Sequence, residues 1–382
     1  MYASRMSNLP PYLFARIDAM KAEQRKKGVD IIDLGVGDPD LATPPHIVDA
    51  LIEAAKDPKN HHYPDYAGMA EYRNAVAGWY KKRFGVTLDA EKEVVALMGS
   101  KDGIAHIGEA FVNPGDYVLA PSPGYPVYRT GTLFAEGKVH DLPLLRENDF
   151  LPVFSEIPKD VAKAAKILYI NYPNNPTAAI APESFYREVV DFARDNDIVV
   201  VSDNAYSEVS FDGYRAPSFL ETKGAMDVGI EMHSLSKTYN MTGWRIGMAV
   251  GNAEVISGLG RVKTNVDSGV FDAVQFAAIT ALSGPQDCVK DACAIYQERR
   301  DVLCKGLGEL GFDVPVPKAT FYVWVPVKDC MAFSGRLLTE AGIVATPGVG
   351  FGASGEGYVR FAITRPVARI QEAIERMRRM NL

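Results

Sequence analysis

The sequence predicts an α/β protein with a large sheet domain and a smaller α+β domain, and three observations carry that prediction. From residue 92 to about 250, short apolar runs alternate with longer segments of helical period, the pattern of strands joined by crossover helices. Several of the runs, among them ILYIN and DIVVVS, are β-branched and lack polar alternation, as strands covered on both faces require. After the SGP turn at Ser283 to Pro285 the pattern changes to a long helix, the strand-like TFYVWVPV, a helix, GYVRFAI and a final helix.

In chain order, the expected helix from Met69 to Arg83 precedes a strand from Glu93 to Met98. A Gly-Ser turn then opens a helix from Lys101 to Val112. Strands follow at Tyr117 to Ala120 and at Lys166 to Asn171, the latter running into a turn rich in Pro and Asn. Pro182 starts a helix that reaches Asp195. Ile198 to Ser202, Met232 to Ser234 and Ile246 to Val250 are the remaining strands of the large domain, and Val270 to Leu282 and Pro285 to Leu310 are helices on either side of the SGP turn. The expected boundaries are residues 41–284 for the large domain and 285–382 for the small one. Residues 1–40, rich in loop and Pro signals, are expected to pack against the small domain.

Composition narrows the function. A net charge of −7 and a pI near 5.5 argue against a binder of nucleic-acid phosphates, which concentrates Lys and Arg on one face. Arg376, Arg378 and Arg379 end a terminal helix, where cations suit the helix dipole. The N-terminus has no apolar signal-like stretch, and nothing approaches the roughly 18 apolar residues needed to span a bilayer, so a cytoplasmic protein without a membrane partner is expected. Cys288, Cys293, Cys304 and Cys330 form neither a C-x-x-C pair nor a disulfide framework, and His61 and His62 lack further ligands at zinc-like spacing. No metal site is expected.

Four segments carry chemistry. MHSLSKTYNMTGWRIG ends a short strand in SLSK and brings Arg245 eight residues after Lys237. An amine that forms a Schiff base must be fixed, partly desolvated and close to cations that favour its neutral form, and Ser234, Ser236 and Arg245 suit a phosphate beside it. DIVVVSDNAYSEV places Asp203 and Tyr206 at the carboxyl end of a buried strand, the end that faces the ligand crevice in open α/β sheets. A carboxylate there keeps a pyridine nitrogen protonated, and a tyrosine can donate to a phenolate oxygen. In ALMGSKDGIAHIGEAF the amides at a helix start, with the Ser100 hydroxyl, suit a single phosphate. ILYINYPNNPTAAI presents Asn175 as a donor from its turn. SPGYPVY adds Tyr125 as an aromatic platform, and GYVRFAI puts Arg360 on a strand, where its fork matches a carboxylate. Taken singly, each segment also reads as a cap, a turn, a core tyrosine or a surface cation. Neither GxGxxG after a strand nor GxxxxGK[ST] is present.

In order along the chain, YPDYAG, GSKDG, PGY, NNPT, SDNAY, SLSK, WRIG, PGVGFG and YVRFA resemble the class I aminotransferases of the fold type I pyridoxal-phosphate superfamily. The resemblance covers nearly the whole chain. It implies a mostly parallel seven-stranded sheet between helices, pyridoxal 5'-phosphate as cofactor, and ping-pong transfer of an amino group from an L-amino acid to a 2-oxo acid. It implies that Lys237 carries the cofactor and moves the proton. Asp203 would pair with the ring nitrogen, Asn175 and Tyr206 would contact the ring oxygen, and Tyr125 would stack on the ring. Ser100, Lys101, Ser234 and Arg245 would surround the phosphate. Arg360, with the backbone near Gly37, would hold the substrate α-carboxylate, and Tyr12 would line the entrance. Tyr63 would reach the phosphate of a neighbouring subunit, which implies a homodimer with shared active sites. One departure stands out: the family's NPTG is NPTA here, with Ala178 in place of Gly.

Within the family, GVGDPDLATPPHIVDAL and GSKDGIAH are most similar to the branch acting on LL-diaminopimelate with 2-oxoglutarate as acceptor, and alanine-type or broad-specificity members share part of that pattern. A carbon-sulfur β-lyase is a third reaction available to the scaffold. Where aspartate-specific members place a second Arg from the partner, this chain reads KTNVDSGVF. Asn265, Asp267 and Ser268 there suit a distal ammonium-carboxylate group better than a bare carboxylate, with Arg261 and Lys263 as neighbours able to fold inward.

Overall fold

The computed structural model describes residues 2–7, 9 and 13–380. Helix α1 (Leu13–Lys26) leads to the two-residue strand β1 (Ile32–Asp33), and helices α2 (Pro45–Lys56) and α3 (Ala70–Phe84) precede strand β2 (Val94–Leu97). The central part continues as α4 (Ser100–Phe111), β3 (Tyr117–Ser122), α5 (Pro126–Phe134), β4 (Lys138–Pro143), β5 (Ala165–Ile170), α6 (Glu183–Asn196), β6 (Val199–Asp203), β7 (Gly229–Ser234), β8 (Gly247–Gly251) and α7 (Ala253–Val266). Then come α8 (Asp272–Ser283), α9 (Asp287–Glu309), β9 (Tyr322–Pro326), α10 (Cys330–Ala341), β10 (Ile343–Val344), β11 (Thr346–Pro347), β12 (Tyr358–Ala362) and α11 (Val367–Arg378).

Seven strands form one sheet in the order β2-β8-β7-β6-β5-β3-β4. Pairing is parallel throughout except on the two sides of β8. The absence of alternation in the strand sequences has its physical cause here, because successive side chains enter two different cores. Ile167 and Tyr169 of β5 pack into the cluster that holds Leu97, Ile104 and Met232, whereas Leu168 and Ile170 pack on the other face with Val189, Val200 and Phe219. The carboxyl ends of β5, β6 and β7 lie side by side, so the residues that end them, Asn171, Asp203 and Ser234, share one edge.

A third cluster joins Ile32 and Leu34 to Phe321, Val323, Val325, Val359 and Phe361. Around it, β11-β12-β9 form an antiparallel sheet and β1 pairs in parallel with β10. Strand β1 thereby carries residues 35 to 38 to the same edge that ends β5 to β7.

The six expected strands of the large sheet are present, β7 beginning three residues earlier than its apolar signal. Among the larger elements, α1, α2, α5, the polar edge strand β4 and α7 were not expected, and neither were the two-residue strands β1, β10 and β11. Helix α7 contains ISGLGRV, and two glycines weaken a helix signal by about 1 kcal/mol each. Gly258 is there for contact, since a Cβ at that position would stand 2.5 Å from the Phe111 ring of α4.

Candidate active site

A cavity of about 1150 Å³ opens at the carboxyl edge of the large sheet and reaches strand β12 and the turn after β1. At its floor, β7 runs into a short helix, Leu235–Thr238, whose first turn is capped by the Ser234 hydroxyl accepting from the Ser236 amide at 3.2 Å. Lys237 projects from that turn and donates through Nζ to the Gly37 carbonyl at 2.9 Å. Burial lowers the pKa of its ammonium group, and the Arg360 and Arg245 cations act in the same direction against Tyr322 and Asp38. A lysine so placed is a ready proton acceptor and nucleophile.

Asp203 ends β6 and is buried in the wall beside it. Its Oδ2 accepts from the Tyr128 hydroxyl at 2.7 Å, and its Oδ1 makes no hydrogen bond. Burial pushes its pKa up to about 6, with the Tyr128 bond pulling the other way. The Asn171 side chain donates to the Asp203 carbonyl at 2.6 Å and accepts from the Asn175 amide at 2.7 Å, so the Pro-Asn turn is tied to the end of β6. Tyr125 caps α5 and lines the same cavity.

A second corner is built for an anion. Helix α4 begins at Ser100, with Ser100, Lys101, Ser236 and Arg245 all on the cavity wall. Gly99 has φ +79°, and a Cβ on it would overlap the Arg245 guanidinium. Arg245 itself sits in the left-handed region at φ +54°, with Nη1 donating to the Thr242 carbonyl at 2.7 Å and Nη2 to the Met98 carbonyl at 3.1 Å. Backbone amides of a helix start, two hydroxyls and two cations with no side chain at Gly99 make a cradle that fits one phosphate dianion.

Across the cavity Arg360 is buried on β12. Its Nη1 donates to Asn175 Oδ1 and its Nη2 to the Gly35 carbonyl, each at 2.7 Å, while its Nε has no partner. The guanidinium lies 4.0 Å from the Tyr322 ring centroid and 4.6 Å from that of Phe351. The Tyr206 and Tyr322 hydroxyls share a hydrogen bond of 2.9 Å. Tyr322 and Tyr128 escaped the sequence reading. Strand periodicity in TFYVWV offered a signal for Tyr322, but nothing local marks which face it takes.

The structure therefore brings twelve of the singled-out residues, Gly37 through Arg360, to one cavity. Tyr63, 89% exposed, and Ser268 line instead a separate shallow pocket of about 430 Å³ with His61, Pro64, Gly269 and Phe271. Asn265 turns back along α7, its amide donating to the Arg261 carbonyl at 2.8 Å. Tyr12 lies outside the described residues.

Residues 29–377 match the family model described as aminotransferase class I and II. An LL-diaminopimelate aminotransferase of Syntrophobacter fumaroxidans is 57% identical over 99% of this chain and 98% of its own length, and one of Aquifex aeolicus is 53% identical over 100% and 99%. Among solved structures, substrate-bound BacF from Bacillus subtilis superposes with a TM-score of 0.96 at 37% identity, covering 100% of this chain and 98% of that one. A double mutant of the Thermus thermophilus aspartate aminotransferase gives 0.93 at 29% identity, covering 99% of each. Fold, sequence and the lysine-centred cavity agree, and the chain belongs to the class I and II aminotransferases.

Proposed function

We propose that this aminotransferase uses pyridoxal 5'-phosphate to move an amino group from LL-diaminopimelate to 2-oxoglutarate, by a ping-pong route in the cytoplasm, as a step of lysine synthesis. The observation that carries the substrate is the set of relatives at 50 to 57% identity over nearly the full chain, each an LL-diaminopimelate aminotransferase. Among the described residues no helix is long and apolar enough to cross a membrane.

The cofactor, when bound, supplies an electron sink that makes the substrate α-proton removable. The chain does the rest. Ser100, Lys101, Ser234, Ser236 and Arg245 would hold its phosphate, Asp203 would offer its free oxygen to the ring nitrogen, Asn175 and Tyr206 would serve the ring oxygen, and Tyr125 would stack on the ring. Lys237, held against its charged form, would carry the cofactor and would take and return the proton at the substrate α-carbon. Arg360 exchanges its present backbone and amide partners for the α-carboxylate, beside the Gly37 backbone.

The outer cavity wall carries both signs of charge, Arg129 paired with Asp141 on one side and Lys21 paired with Asp18 on the other. An amino acid whose far end bears both an ammonium and a carboxylate complements such a wall. Tyr63, Ser268 and Asn265 form part of an exposed face that would serve a partner subunit, in a homodimer with shared sites. Glutamate formation from 2-oxoglutarate, with LL-diaminopimelate, alanine, aspartate and phenylalanine compared as donors, tests the reading. A strong preference for LL-diaminopimelate supports it. Preference for alanine or aspartate, a flat profile, or pyruvate release from cystathionine without acceptor refutes the substrate.

A further inference from the structure

Lys263 of α7 lies outside the cavity wall and has a side chain only 1% exposed. Its Nζ donates to Asp102 Oδ2 at 2.6 Å and to Asp267 Oδ2 at 2.8 Å, and the two carboxylates are themselves 7% and 8% exposed. Three buried charges are costly to desolvate, and a cation held by two carboxylates is retained where it fixes an arrangement that apolar residues cannot.

What it fixes is visible at both ends. Asp102 stands in the first turn of α4, the turn that also holds Ser100 and Lys101 in the anion cradle, and its Oδ2 accepts from the Met98 amide at 3.0 Å. Its other oxygen faces the His106 ring at 3.7 Å. A carboxylate suits a helix N-terminus on its own, but next to a bound phosphate it repels the ligand unless a cation neutralises it. At the other end, Asp267 Oδ1 accepts from the Gly269 amide at 2.7 Å. Gly269 in turn packs so closely on the chain after Tyr63 that a Cβ there would stand 2.9 Å from the Asp65 carbonyl oxygen.

We propose that Lys263 is a positioning residue for the cofactor phosphate: by neutralising and anchoring Asp102 it makes the first turn of α4 able to accept a dianion, and through Asp267 it seats the Ser268–Gly269 loop beside Tyr63. The proposal rests on the reading of the α4 corner as the phosphate site. It assigns no proton transfer and no substrate contact to Lys263.

The experiment measures the equilibrium dissociation constant of pyridoxal phosphate, by its visible absorbance, for the wild-type enzyme, Lys263→Met, Asp102→Asn, the double variant Asp102→Asn/Lys263→Met, and Arg245→Gln. Lys263→Met is expected to weaken cofactor binding by roughly tenfold or more, equivalent to about 1.4 kcal/mol. The double variant is expected to recover most of that loss, because the uncompensated anion beside the phosphate is gone. A purely architectural lysine would leave the double variant as weak as the single one, and that result overturns the proposal, as does wild-type affinity in Lys263→Met. If Lys263→Met does not fold, Asp102→Asn decides: unchanged or tighter binding supports the proposal and weaker binding overturns it. Unchanged affinity in Arg245→Gln removes the phosphate reading itself; weakened affinity there with none in Lys263→Met removes only the role of Lys263.

Discussion

The Tyr128 hydroxyl donates to Asp203 Oδ2 at 2.7 Å and leaves Oδ1 as the oxygen of that carboxylate with no hydrogen bond. Two residues on different elements, α5 and β6, thus prepare one acceptor at the cavity wall. Tyr128 is held in turn by stacking on Tyr169 at 4.7 Å between centroids, so its hydroxyl has little freedom to leave.

Removing that bond moves the ionisation of Asp203 in a known direction. Tyr128→Phe deletes an interaction that favours the charged form, so the pKa rises further above about 6. A hydrogen bond to a charged group contributes about 1.5–3 kcal/mol, which corresponds to a shift of about 1–2 pH units. The acidic limb of the kcat/KM profile for the amino-donor half-reaction is expected to move to higher pH by about that amount, with activity near pH 8.5 much less affected. A profile superimposable on the wild type would show that Tyr128 does not tune Asp203.

The departure from NPTG has a backbone cost. Ala178 adopts φ +60°, a conformation that costs an L-residue about 1–2 kcal/mol and glycine almost nothing. Glycine also gives the unfolded chain about 0.4–1 kcal/mol more entropy to lose. Ala178→Gly is therefore expected to stabilise the fold by up to about 1 kcal/mol and to leave turnover unchanged, because Asn175 keeps its bonds to Arg360 and Asn171. Denaturant midpoints of the two proteins at one protein concentration check this. Destabilisation would mean that the buried Ala178 methyl contributes more packing than its backbone costs.

Acid stability should report on His233. This residue is 2% exposed, its Nε2 lies 3.0 Å from the Ser207 hydroxyl, and burial pushes its pKa down to about 3. Between pH 6.5 and about 3 the unfolded chain binds a proton that the folded chain does not, so stability falls as pH falls through that window. From the unfolded value of 6.5, the loss attributable to this group is about 2 kcal/mol at pH 5. Asp203 acts with the opposite sign, since its raised pKa makes the folded state the tighter proton binder between 3.8 and about 6. Comparing His233→Gln with the wild type cancels that background: urea unfolding at pH 7.5 and pH 5 is expected to show the extra loss only in the wild type. Equal losses in both would assign the acid lability elsewhere.

How far the sequence announces these features depends on whether their cause is local. The strand ends that carry Asp203, Ser234 and Lys237 are legible because a buried parallel strand that stops in polar residues has few other reasons to do so. Tyr128 and Tyr322 are not legible, because their partners stand 75 and 116 residues away and only the tertiary fold brings each pair together. Glu231 shows the same limit inside a strand. As a charged residue it truncates the apolar signal of β7 to Met232, yet it is fully buried, accepting from Tyr80, Ser218 and the Phe219 amide at 3.0, 2.8 and 3.0 Å. In the stretch KTNVDSGVF, Lys263 turns into the protein toward Asp102, while Ser268 shares an exposed pocket with Tyr63.

The charged outer wall gives the last prediction. Arg129 and Asp141 line the cavity as a pair in which both side chains are about two-fifths exposed, so the pair itself adds little to stability. Exchanging each other for the distal carboxylate and ammonium of LL-diaminopimelate costs them correspondingly little, which makes the pair suited to recognition. Arg129→Gln and Asp141→Asn are each expected to raise KM for LL-diaminopimelate by roughly tenfold, the effect of losing about 1.4 kcal/mol of charge-assisted bonding. KM for alanine, which has no distal group, should stay within about twofold, and melting temperatures should not change. Equal effects on both donors would show that the pair shapes the cavity without reading the far end of the substrate, and distal recognition would then have to come from Ser268 and Asn265 of a partner subunit.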